Sequence, residues 1–201
     1  NKNFKILNGK PLIYWTIKFA KKTKIFEDII VSTDSPEIKE FSNKEKVISP
    51  WLRPKRLSSD KVKSENAALH ALNWYEKNYN KKISCVTLLQ PTSPFRSIKA
   101  LKTTFFKFKK FKNKNVVSVS KEKKGNKNLF IIKKNLCIKA KNENFKNKYR
   151  INGNFYLISS KNLKNKKSFS SKNFVPLVTK TKKESLDIDT LSDFKLAQRL
   201  F

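Results

Sequence analysis

Residues 83–96, which read ISCVTLLQPTSPFR, decide the fold class. The first seven are apolar or small, as in a short strand buried within a sheet. Gln90-Pro91 ends this strand, because proline has no backbone N–H to donate. The pattern that follows predicts a helix over 97–112 and a second strand over 115–119. A buried strand, a helix and another strand in succession are typical of an α/β domain.

The alternation of strands and helices continues on both sides of this segment. Further strands are predicted over 28–33, 150–159 and 174–179, and further helices over 11–22, 35–46, 64–79 and 191–201. Ser64 is expected to cap the helix that it begins. We therefore predict one α/β domain over residues 1–201, with a mostly parallel sheet flanked by helices. Residues 121–149, which are Lys/Asn-rich around two short apolar runs, are interpreted as a β-rich insertion.

The formal net charge of +32 comes almost entirely from lysine, since only five of the 47 basic residues are arginine. Sequence-specific recognition of nucleic acids relies on the planar guanidinium of arginine. Lysine accompanied by abundant Asn, Ile and Phe is instead the composition that an AT-rich genome produces, with lysine accumulating at tolerant surface positions. Nucleic acid is therefore not the expected partner, although a non-catalytic protein that binds polyanions remains an alternative from a different class.

Cysteine usage and hydropathy indicate in which cellular compartment the protein is expected. Cys85 and Cys137 have neither the number nor the spacing of a disulfide framework or a zinc site. No run of residues approaches the roughly eighteen apolar positions that cross a bilayer. These features favour the reducing cytoplasm and predict no association with a membrane.

Asp187 and Asp189 are candidates for a metal site. They are two residues apart, so both carboxylates face the same way if the segment is extended. Hard oxygen ligands at this spacing suit Mg²⁺ that carries the phosphates of a nucleotide. A solvated turn, or a cap for the last helix, is the alternative.

Polar side chains also follow the predicted strands. Gln90 and Arg96 leave the strand over 83–89, where they are placed to meet a polyol and an anion. A loop in which Ser93 or Ser97 caps the next helix is the alternative. Arg53 suits a phosphate or a base edge, and an ordinary basic surface loop is the alternative there.

Asn152-Gly153, within RINGNFY (150–156), is a turn signal between apolar residues, so a hairpin is the plain interpretation of this segment. In open α/β sheets, ligands bind beyond the carboxyl ends of the strands. Asp34, the segment 90–96 and the 187–189 pair all follow such ends. We expect them to converge on one cleft.

Six segments, taken in order, resemble the acylneuraminate cytidylyltransferases, which make CMP-activated sialic acids and relatives such as legionaminic acid. The segments are KNFKILNGKPLI (2–13), IIVSTDS (29–35), LRPKRLSSDKVKS (52–64), LLQPTSPFR (88–96), NGNFY (152–156) and SLDIDTLSD (185–193). LLQPTSP and DIDT are specific in combination, and the segments together span nearly the whole chain.

The resemblance implies a Rossmann-like nucleotidyltransferase that transfers CMP from CTP to the anomeric hydroxyl of a nine-carbon acidic sugar, a nonulosonic acid. It also implies dependence on Mg²⁺, held by Asp187 and Asp189 as catalytic carboxylates, and a homodimer to which the insertion 121–149 contributes. The matching nucleotide-binding positions are Asn3, Arg53 and Ser64, and the matching sugar-binding positions are Gln90, Arg150, Asn152 and Tyr156. A cytidylyltransferase for a related eight-carbon ulosonic acid is the nearest alternative.

The resemblance further implies a segment before residue 1. The family begins with a strand and a phosphate-cradling loop, and only Lys2-Asn3 correspond to the tail of that loop. We therefore expect the sequence to be N-terminally truncated. A chain that lacked the loop is expected to be inactive, because the loop binds the triphosphate through its backbone N–H groups.

Overall fold

The computed structural model describes residues 2–59, 62–122, 128–140, 145–165, 168–170 and 173–201. Its helices are α1 Leu12–Thr23, α2 Pro36–Lys44, α3 Ser64–Tyr79, α4 Ile98–Lys110, α5 Ser160–Lys164 and α6 Leu191–Leu200. Its strands are β1 Ile6–Leu7, β2 Lys10–Pro11, β3 Cys85–Leu88, β4 Val116–Glu122, β5 Phe130–Lys133, β6 Leu136–Lys139, β7 Lys148–Ser159 and β8 Val175–Val178. Short 3₁₀ turns lie at Lys2–Phe4 and Lys55–Leu57.

The central sheet is mixed. β7 lies between β3 and β4 and is antiparallel to both, whereas β4 and β8 form a parallel pair. The α/β class is confirmed, but the sheet is not mostly parallel as predicted. The connection from β4 to β7 contains the β5–β6 hairpin and, in its described parts, no crossover helix. Without a crossover, a neighbouring strand returns in the antiparallel direction.

The strand predicted over 28–33 is reduced to two isolated bridges. Ile30 pairs with Ile48 and Thr33 with Leu52, both in parallel, and no continuous ladder joins the two within the fully described stretch 28–52. Pro50 lies between the two partner residues, and its missing N–H interrupts the ladder. The pairing still places the loop after residue 52 beside the end of this segment.

The helix starts differ in how they are capped. Ser97 accepts the N–H of Ala100 at the start of α4, and Thr190 forms a reciprocal capping box with Asp193 at the start of α6. At α3 the predicted cap is wrong, because the helix begins one residue earlier than capping by Ser64 would require. Lys63 occupies the cap position, and no side chain caps this described helix start. The Ser64 side chain is left exposed at the first helical position.

Apolar side chains cover both faces of the sheet. Leu72 of α3 packs in one core with Val117, and Leu101 of α4 packs in another core with Val116. Adjacent residues of β4 thus belong to opposite faces, as the alternation of strand side chains requires. The predicted flanking of the sheet by helices is confirmed.

The segment 121–149 is described only in part. Its β5–β6 hairpin is attached to β7 through the pair Phe130–Tyr149 and to Phe174 through Cys137. Residues 123–127 and 141–144 lie outside the described residues, so its status as an insertion stays a prediction. None of the helices in the described ranges has both the length and the hydropathy needed to cross a bilayer.

Candidate active site

β7 carries a bulge opposite Ser118. Across it, β7 advances from Ile151 to Tyr156 while β4 moves only from Val119 to Val117. The extra residues of β7 leave the ladder. Bulges of this kind re-aim strand residues and are common next to active sites.

Asn152-Gly153 lies within this bulge. The hairpin interpretation is wrong, because β7 runs through both residues as one strand, Lys148–Ser159. Gly153 has a φ of +75°, in the left-handed region that favours glycine. A turn and a bulge both use a glycine of this conformation, so the local sequence does not distinguish them.

Three side chains converge on Gly153. A Cβ atom on this residue would lie 2.8 Å from Gln90 Oε1 and 2.9 Å from both Asp187 Oδ2 and Ser93 Oγ. Only glycine leaves room for the three oxygen atoms at this point. The structure therefore brings together Gln90, predicted to bind the sugar, and Asp187, predicted to bind a metal ion.

Asp187 has unused bonding capacity. Its Oδ1 atom is buried and has no hydrogen-bond partner in the described part of the chain. Burial raises the pKa of Asp187, while a hydrogen bond from Thr92 and the positive charges of Lys2 and Arg150 act in the opposite direction. The N–H of Ile188 donates to the carbonyl of Thr92 at 2.8 Å, which fixes this segment beside the loop after β3. A buried, unpartnered carboxylate oxygen fits a cation site.

Asp189 lies on the exposed side of the same segment. Its Oδ1 atom is 3.0 Å from Lys2 Nζ, and its N–H donates to Asp193 Oδ2 at 3.2 Å as part of the start of α6. Across the ranges that the structure describes, no group of three or more His, Cys, Asp and Glu side chains is placed to hold a metal ion. A cation here would therefore rely on the acidic pair and on oxygen atoms of a ligand.

Tyr156 faces the carboxylates from β7. Burial raises the pKa of its phenol, and the negative charges of Asp187, Glu65 and Asp189 raise it further. The phenol is therefore protonated at neutral pH and is able to donate a hydrogen bond. Its ring centroid lies 5.3 Å from that of Phe169, so the two rings form an aromatic wall.

Arg150 and Asn152 both bond to protein groups. Arg150 Nε lies 3.1 Å from Glu122 Oε2, and its positive charge also acts on Asp187. Asn152 is fully buried, and its Nδ2 atom donates to Thr179 Oγ1 at 2.8 Å. The structure thus places the charge of Arg150 where it acts on Asp187 and turns the Asn152 amide towards the end of β8.

Arg96 does not face a ligand, contrary to the prediction that it would meet an anion. Its guanidinium donates to the carbonyl of Asn154 at 2.9 Å, to Thr16 Oγ1 at 3.0 Å and to the carbonyl of Gln90 at 2.6 Å. The reason is the bulge, because carbonyl groups that leave a ladder inside the protein need other donors.

The predicted nucleotide-binding residues lie on three separate segments. Arg53 pairs with Asp34 at 3.0 Å and donates to Ser58 Oγ at 3.2 Å. Asn3 keeps a buried Oδ1 atom that has no partner among the described residues. Ser64 is exposed at the start of α3. Asp34, which was expected in the same cleft as Asp187, is held by its ion pair with Arg53.

A family model described as cytidylyltransferase matches residues 1–200. The chain belongs to the cytidylyltransferase family. The resemblance seen in the sequence is confirmed by this match, which covers nearly every position of the chain.

Several curated proteins are similar to this cytidylyltransferase. It is 33% identical to the CMP-N,N'-diacetyllegionaminic acid synthase of Legionella pneumophila, over 99% of the chain and 88% of the relative. It is 31% identical to the N-acylneuraminate cytidylyltransferase of Escherichia coli, over 98% of the chain and 47% of that longer relative. The pseudaminic acid cytidylyltransferase of Campylobacter jejuni is 26% identical, over 96% of the chain and 86% of the relative.

Solved structures show the same fold as this cytidylyltransferase. A CMP-2-keto-3-deoxy-manno-octonic acid synthetase complexed with CTP has a TM-score of 0.77 at 11% identity, over 99% of the chain and 90% of that structure. A 4-diphosphocytidyl-2C-methyl-D-erythritol synthase from Anaerococcus prevotii has a TM-score of 0.67 at 16% identity, over 98% of the chain and 92% of that structure. At these identities the likeness concerns the fold alone, and it confirms the α/β nucleotidyltransferase architecture.

Gly153 and Glu65 shape the site of this cytidylyltransferase; the sequence indicated Gly153 only as part of a turn and did not indicate Glu65. Glycine is rare in the chain, with three in 201 residues, and this rarity is a signal that could have drawn attention to Gly153. Glu65 accepts the N–H of Phe169 at 2.9 Å and the hydroxyl of Ser168. The two ends of that contact lie 104 residues apart, so no local pattern indicates it.

Proposed function

We propose that this protein transfers CMP from CTP to the anomeric hydroxyl of a nonulosonic acid and releases pyrophosphate. The observation that carries the proposal is the meeting of Gln90 and Asp187 at Gly153, in a member of the cytidylyltransferase family. The amide of Gln90, which is able to bind a polyol, thus lies beside the carboxylate of Asp187, which is able to bind a metal ion that carries the nucleotide phosphates. The similar synthases named for legionaminic, N-acylneuraminic and pseudaminic acids support an acidic sugar as the acceptor.

In the proposed reaction the hydroxyl oxygen of the sugar forms a bond to the α-phosphorus of CTP. The bond from that phosphorus to the oxygen bridging the α- and β-phosphates breaks, and pyrophosphate leaves with the electron pair. A carboxylate of the pair Asp187 and Asp189 accepts the hydroxyl proton. Positioning and charge stabilisation supply most of the rate enhancement in chemistry of this kind.

We assign the acidic sugar to the side of the site formed by β7. Arg150 is suited to the sugar carboxylate, since a guanidinium binds a carboxylate in a bidentate manner. Gln90 and the protonated phenol of Tyr156 supply hydrogen bonds to hydroxyl groups. Asn152 contributes through the bulge, because its carbonyl accepts the hydroxyl of Ser93 at 3.3 Å.

We assign the nucleotide to the opposite side, at Asn3, Arg53 and Ser64. The unpartnered Oδ1 atom of Asn3 is a free acceptor for an amino group such as that of cytosine. Ser64 begins a helix of sixteen residues, and a helix N-terminus favours an anion such as a phosphate. Arg53 adds positive charge from the loop after α2.

Mg²⁺ is the cofactor that this donor set fits. Asp187 and Asp189 would hold it, one through a buried oxygen that has no hydrogen-bond partner in the described ranges. Mg²⁺ prefers oxygen ligands and is commonly bound through one or two carboxylates together with substrate phosphates. When bound, it supplies positive charge against the negative charge that develops on the phosphates.

We further propose a homodimer and a cytoplasmic location. A surface cavity of about 250 Å³ beside β5 is lined by Ile131, Ile132, Phe145 and Tyr149 together with Lys133, Lys146 and Asn147, and its apolar part supports an interface at this hairpin. Cys85 and Cys137 are free thiols, which suits a reducing compartment. Analytical ultracentrifugation tests the dimer, and a monomer at micromolar concentration would contradict it.

The test of the proposed function is pyrophosphate release by the protein expressed from its complete gene. The assay contains CTP, Mg²⁺ and one of a panel of nonulosonic acids, with an eight-carbon ulosonic acid and the other nucleoside triphosphates as comparisons. We expect release with CTP and one nonulosonic acid, and loss of release in Asp189→Asn. A folded protein that releases pyrophosphate with no combination would refute the proposal.

A further inference from the structure

The guanidinium of Arg96 lies where three segments meet. It bonds to α1 through Thr16, to the end of β3 through the carbonyl of Gln90, and to the β7 bulge through the carbonyl of Asn154, at 2.6 to 3.0 Å. Its Cζ atom is 5.8 Å from the ring centroid of Phe155, which is fully buried. All of these contacts are with the protein itself, so the side chain serves to hold segments together.

Two of these bonds act directly on the candidate active site. One accepting carbonyl belongs to Gln90, and the other belongs to Asn154, the residue after Gly153. Gln90 Oε1 and Asp187 Oδ2 approach each other at Gly153. A planar guanidinium that donates to both carbonyls fixes their separation, because its N–H groups point in set directions.

Asn154 extends this network to the acidic segment. Its Nδ2 atom donates to the carbonyl of Phe95 at 3.2 Å and to the carbonyl of Glu184 at 2.6 Å. The N–H of Ile188 donates to the carbonyl of Thr92 at 2.8 Å. The loop after β3, the bulge of β7 and the segment 184–189 therefore form one hydrogen-bonded unit, with the guanidinium at its centre.

Arg96 keeps its charge at neutral pH in spite of its burial. Desolvation lowers the pKa of Arg96 to about 9, and the negative charge of Asp187 acts in the opposite direction. A cation inside a protein is costly unless hydrogen bonds and an opposite charge compensate it. The carbonyl groups of the bulge and the nearby carboxylate provide both.

We propose that Arg96 is a positioning residue for the transfer reaction. It sets the distance between the side chains of Gln90 and Asp187 by holding the end of β3 and the β7 bulge in one arrangement. This inference rests on the proposed function, since the sugar and the phosphates are what those two side chains would contact. Arg96 itself touches neither substrate.

Arg96→Lys tests the proposal, because lysine keeps the charge but lacks the planar fork. We expect kcat/KM for the sugar to fall roughly 100-fold while KM for CTP changes less than about threefold, because Gln90, the site residue that Arg96 bonds to directly, lies on the proposed sugar side. Thr16→Val is the milder variant, since it removes the anchor on α1 and leaves both carbonyl bonds. It should show the same split in smaller degree. A KM for CTP that rose as much as kcat/KM for the sugar fell would overturn the proposal.

A double-mutant cycle with Gln90→Ala separates positioning from general stability. If Arg96 acts through Gln90, Arg96→Lys should lower kcat/KM for the sugar less than about fivefold when Gln90 is already replaced by alanine. Full additivity would overturn the proposal. Lys107→Met is the matched control. Lys107 is a half-buried cation on α4, and it donates to the carbonyl of Pro176 at 2.6 Å. It should lower the melting temperature and leave kcat/KM unchanged.

Crystal structures of the wild type and of Arg96→Lys give a result that does not depend on activity. We expect Gln90 Oε1 and Asp187 Oδ2 to approach Gly153 together only in the wild type. If the wild type releases no pyrophosphate, the proposed function fails, while this comparison still decides the role of Arg96. An unchanged arrangement in the variant would overturn that role.

Discussion

At Gly153 a missing side chain allows three oxygen atoms to meet beside the backbone. The residue combines a φ of +75° with a crowded surrounding, since a Cβ would lie within 2.9 Å of Gln90, Asp187 and Ser93. Gly9, in the turn between β1 and β2, has a similar φ of +72° but no atom within 4 Å of such a Cβ. The two glycines therefore separate the cost of backbone strain from the cost of crowding.

Gly153→Ala should inactivate the protein far more than it destabilises it. An alanine in the left-handed region costs roughly 1–2 kcal/mol in either position. Only at Gly153 would the new methyl group also displace Gln90 and Asp187, so we expect kcat/KM to fall about 100-fold or more. Pyrophosphate release and thermal melting measure the two effects. Gly9→Ala should lose stability alone, and equal activity in the two variants would contradict this account.

Asp187→Asn should stabilise the protein while abolishing its activity. The pKa of Asp187 is raised in the folded protein, chiefly by burial, so its ionised form opposes folding above that pKa. The neutral amide removes this cost, and we expect a gain of about 1 kcal/mol at neutral pH. The gain should shrink as the pH falls through the raised pKa, where the wild-type carboxyl also becomes neutral. Thermal melting from about pH 4, close to the unperturbed pKa of aspartate, to about pH 8 measures it.

Asp189→Asn is the control for this measurement. Asp189 is exposed, and its ion pair with Lys2 lies at the surface, where such pairs contribute little. We expect lost activity with an unchanged melting temperature. A melting temperature that fell in Asp187→Asn at neutral pH would contradict the assignment of a costly buried charge.

At the scale of elements, α3 is held by a carboxylate near each end. Glu65 accepts the N–H of Phe169 at 2.9 Å, beside the ring of Tyr156. Glu76 accepts the N–H of Ile83 at 3.1 Å and pairs with a lysine of α5. The first contact fixes the aromatic wall of the candidate sugar pocket, whereas the second contact lies at the opposite end of the helix.

Glu65→Ala should raise KM for the sugar about tenfold, because Phe169 would no longer be fixed against Tyr156. Glu76→Ala removes a bond of the same kind and should lower stability by about 1 kcal/mol with unchanged kinetics. Steady-state kinetics with the sugar as the varied substrate, together with thermal melting, distinguish the two. A KM that stayed constant in Glu65→Ala would exclude this coupling between α3 and the pocket.

At the scale of the whole molecule, the protein carries a formal net charge of +32, whereas its proposed substrates are both anions. A positive potential raises the rate at which anions reach a cleft, and salt screens it within roughly 10 Å at 0.1 M. The charge therefore bears on substrate capture. It does not act on the chemical step, which takes place among groups in contact.

Raising the salt concentration should lower kcat/KM for CTP roughly tenfold between low and physiological ionic strength, with kcat nearly constant. The measurement is initial-rate kinetics in a series of potassium chloride concentrations at fixed free Mg²⁺. A kcat that fell in parallel with kcat/KM would show that salt acts on the folded site and not on encounter.

Local patterns predicted the helices well, and the sheet less well. The periodicity of apolar residues gives α3 the bounds Ser64–Tyr79, as predicted, because each turn of a helix is decided by its own neighbours. The segment 28–33 was wrong as a strand, since a strand needs a partner, and Pro50 interrupts the ladder with residues 48–52. The direction of β7 likewise depended on which strands it joined.

The sequence by itself determined the family, through LLQPTSP and DIDT, and with it the kinds of side chain in the site. Only the tertiary structure decided that Arg96 points inward and that Gly153 forms a bulge. The physical reason is distance along the chain: Arg96 bonds to Asn154, 58 residues away, and Glu65 to Phe169, 104 residues away. Short motifs carry residue types, whereas the partners of buried polar groups are chosen when distant segments pack together.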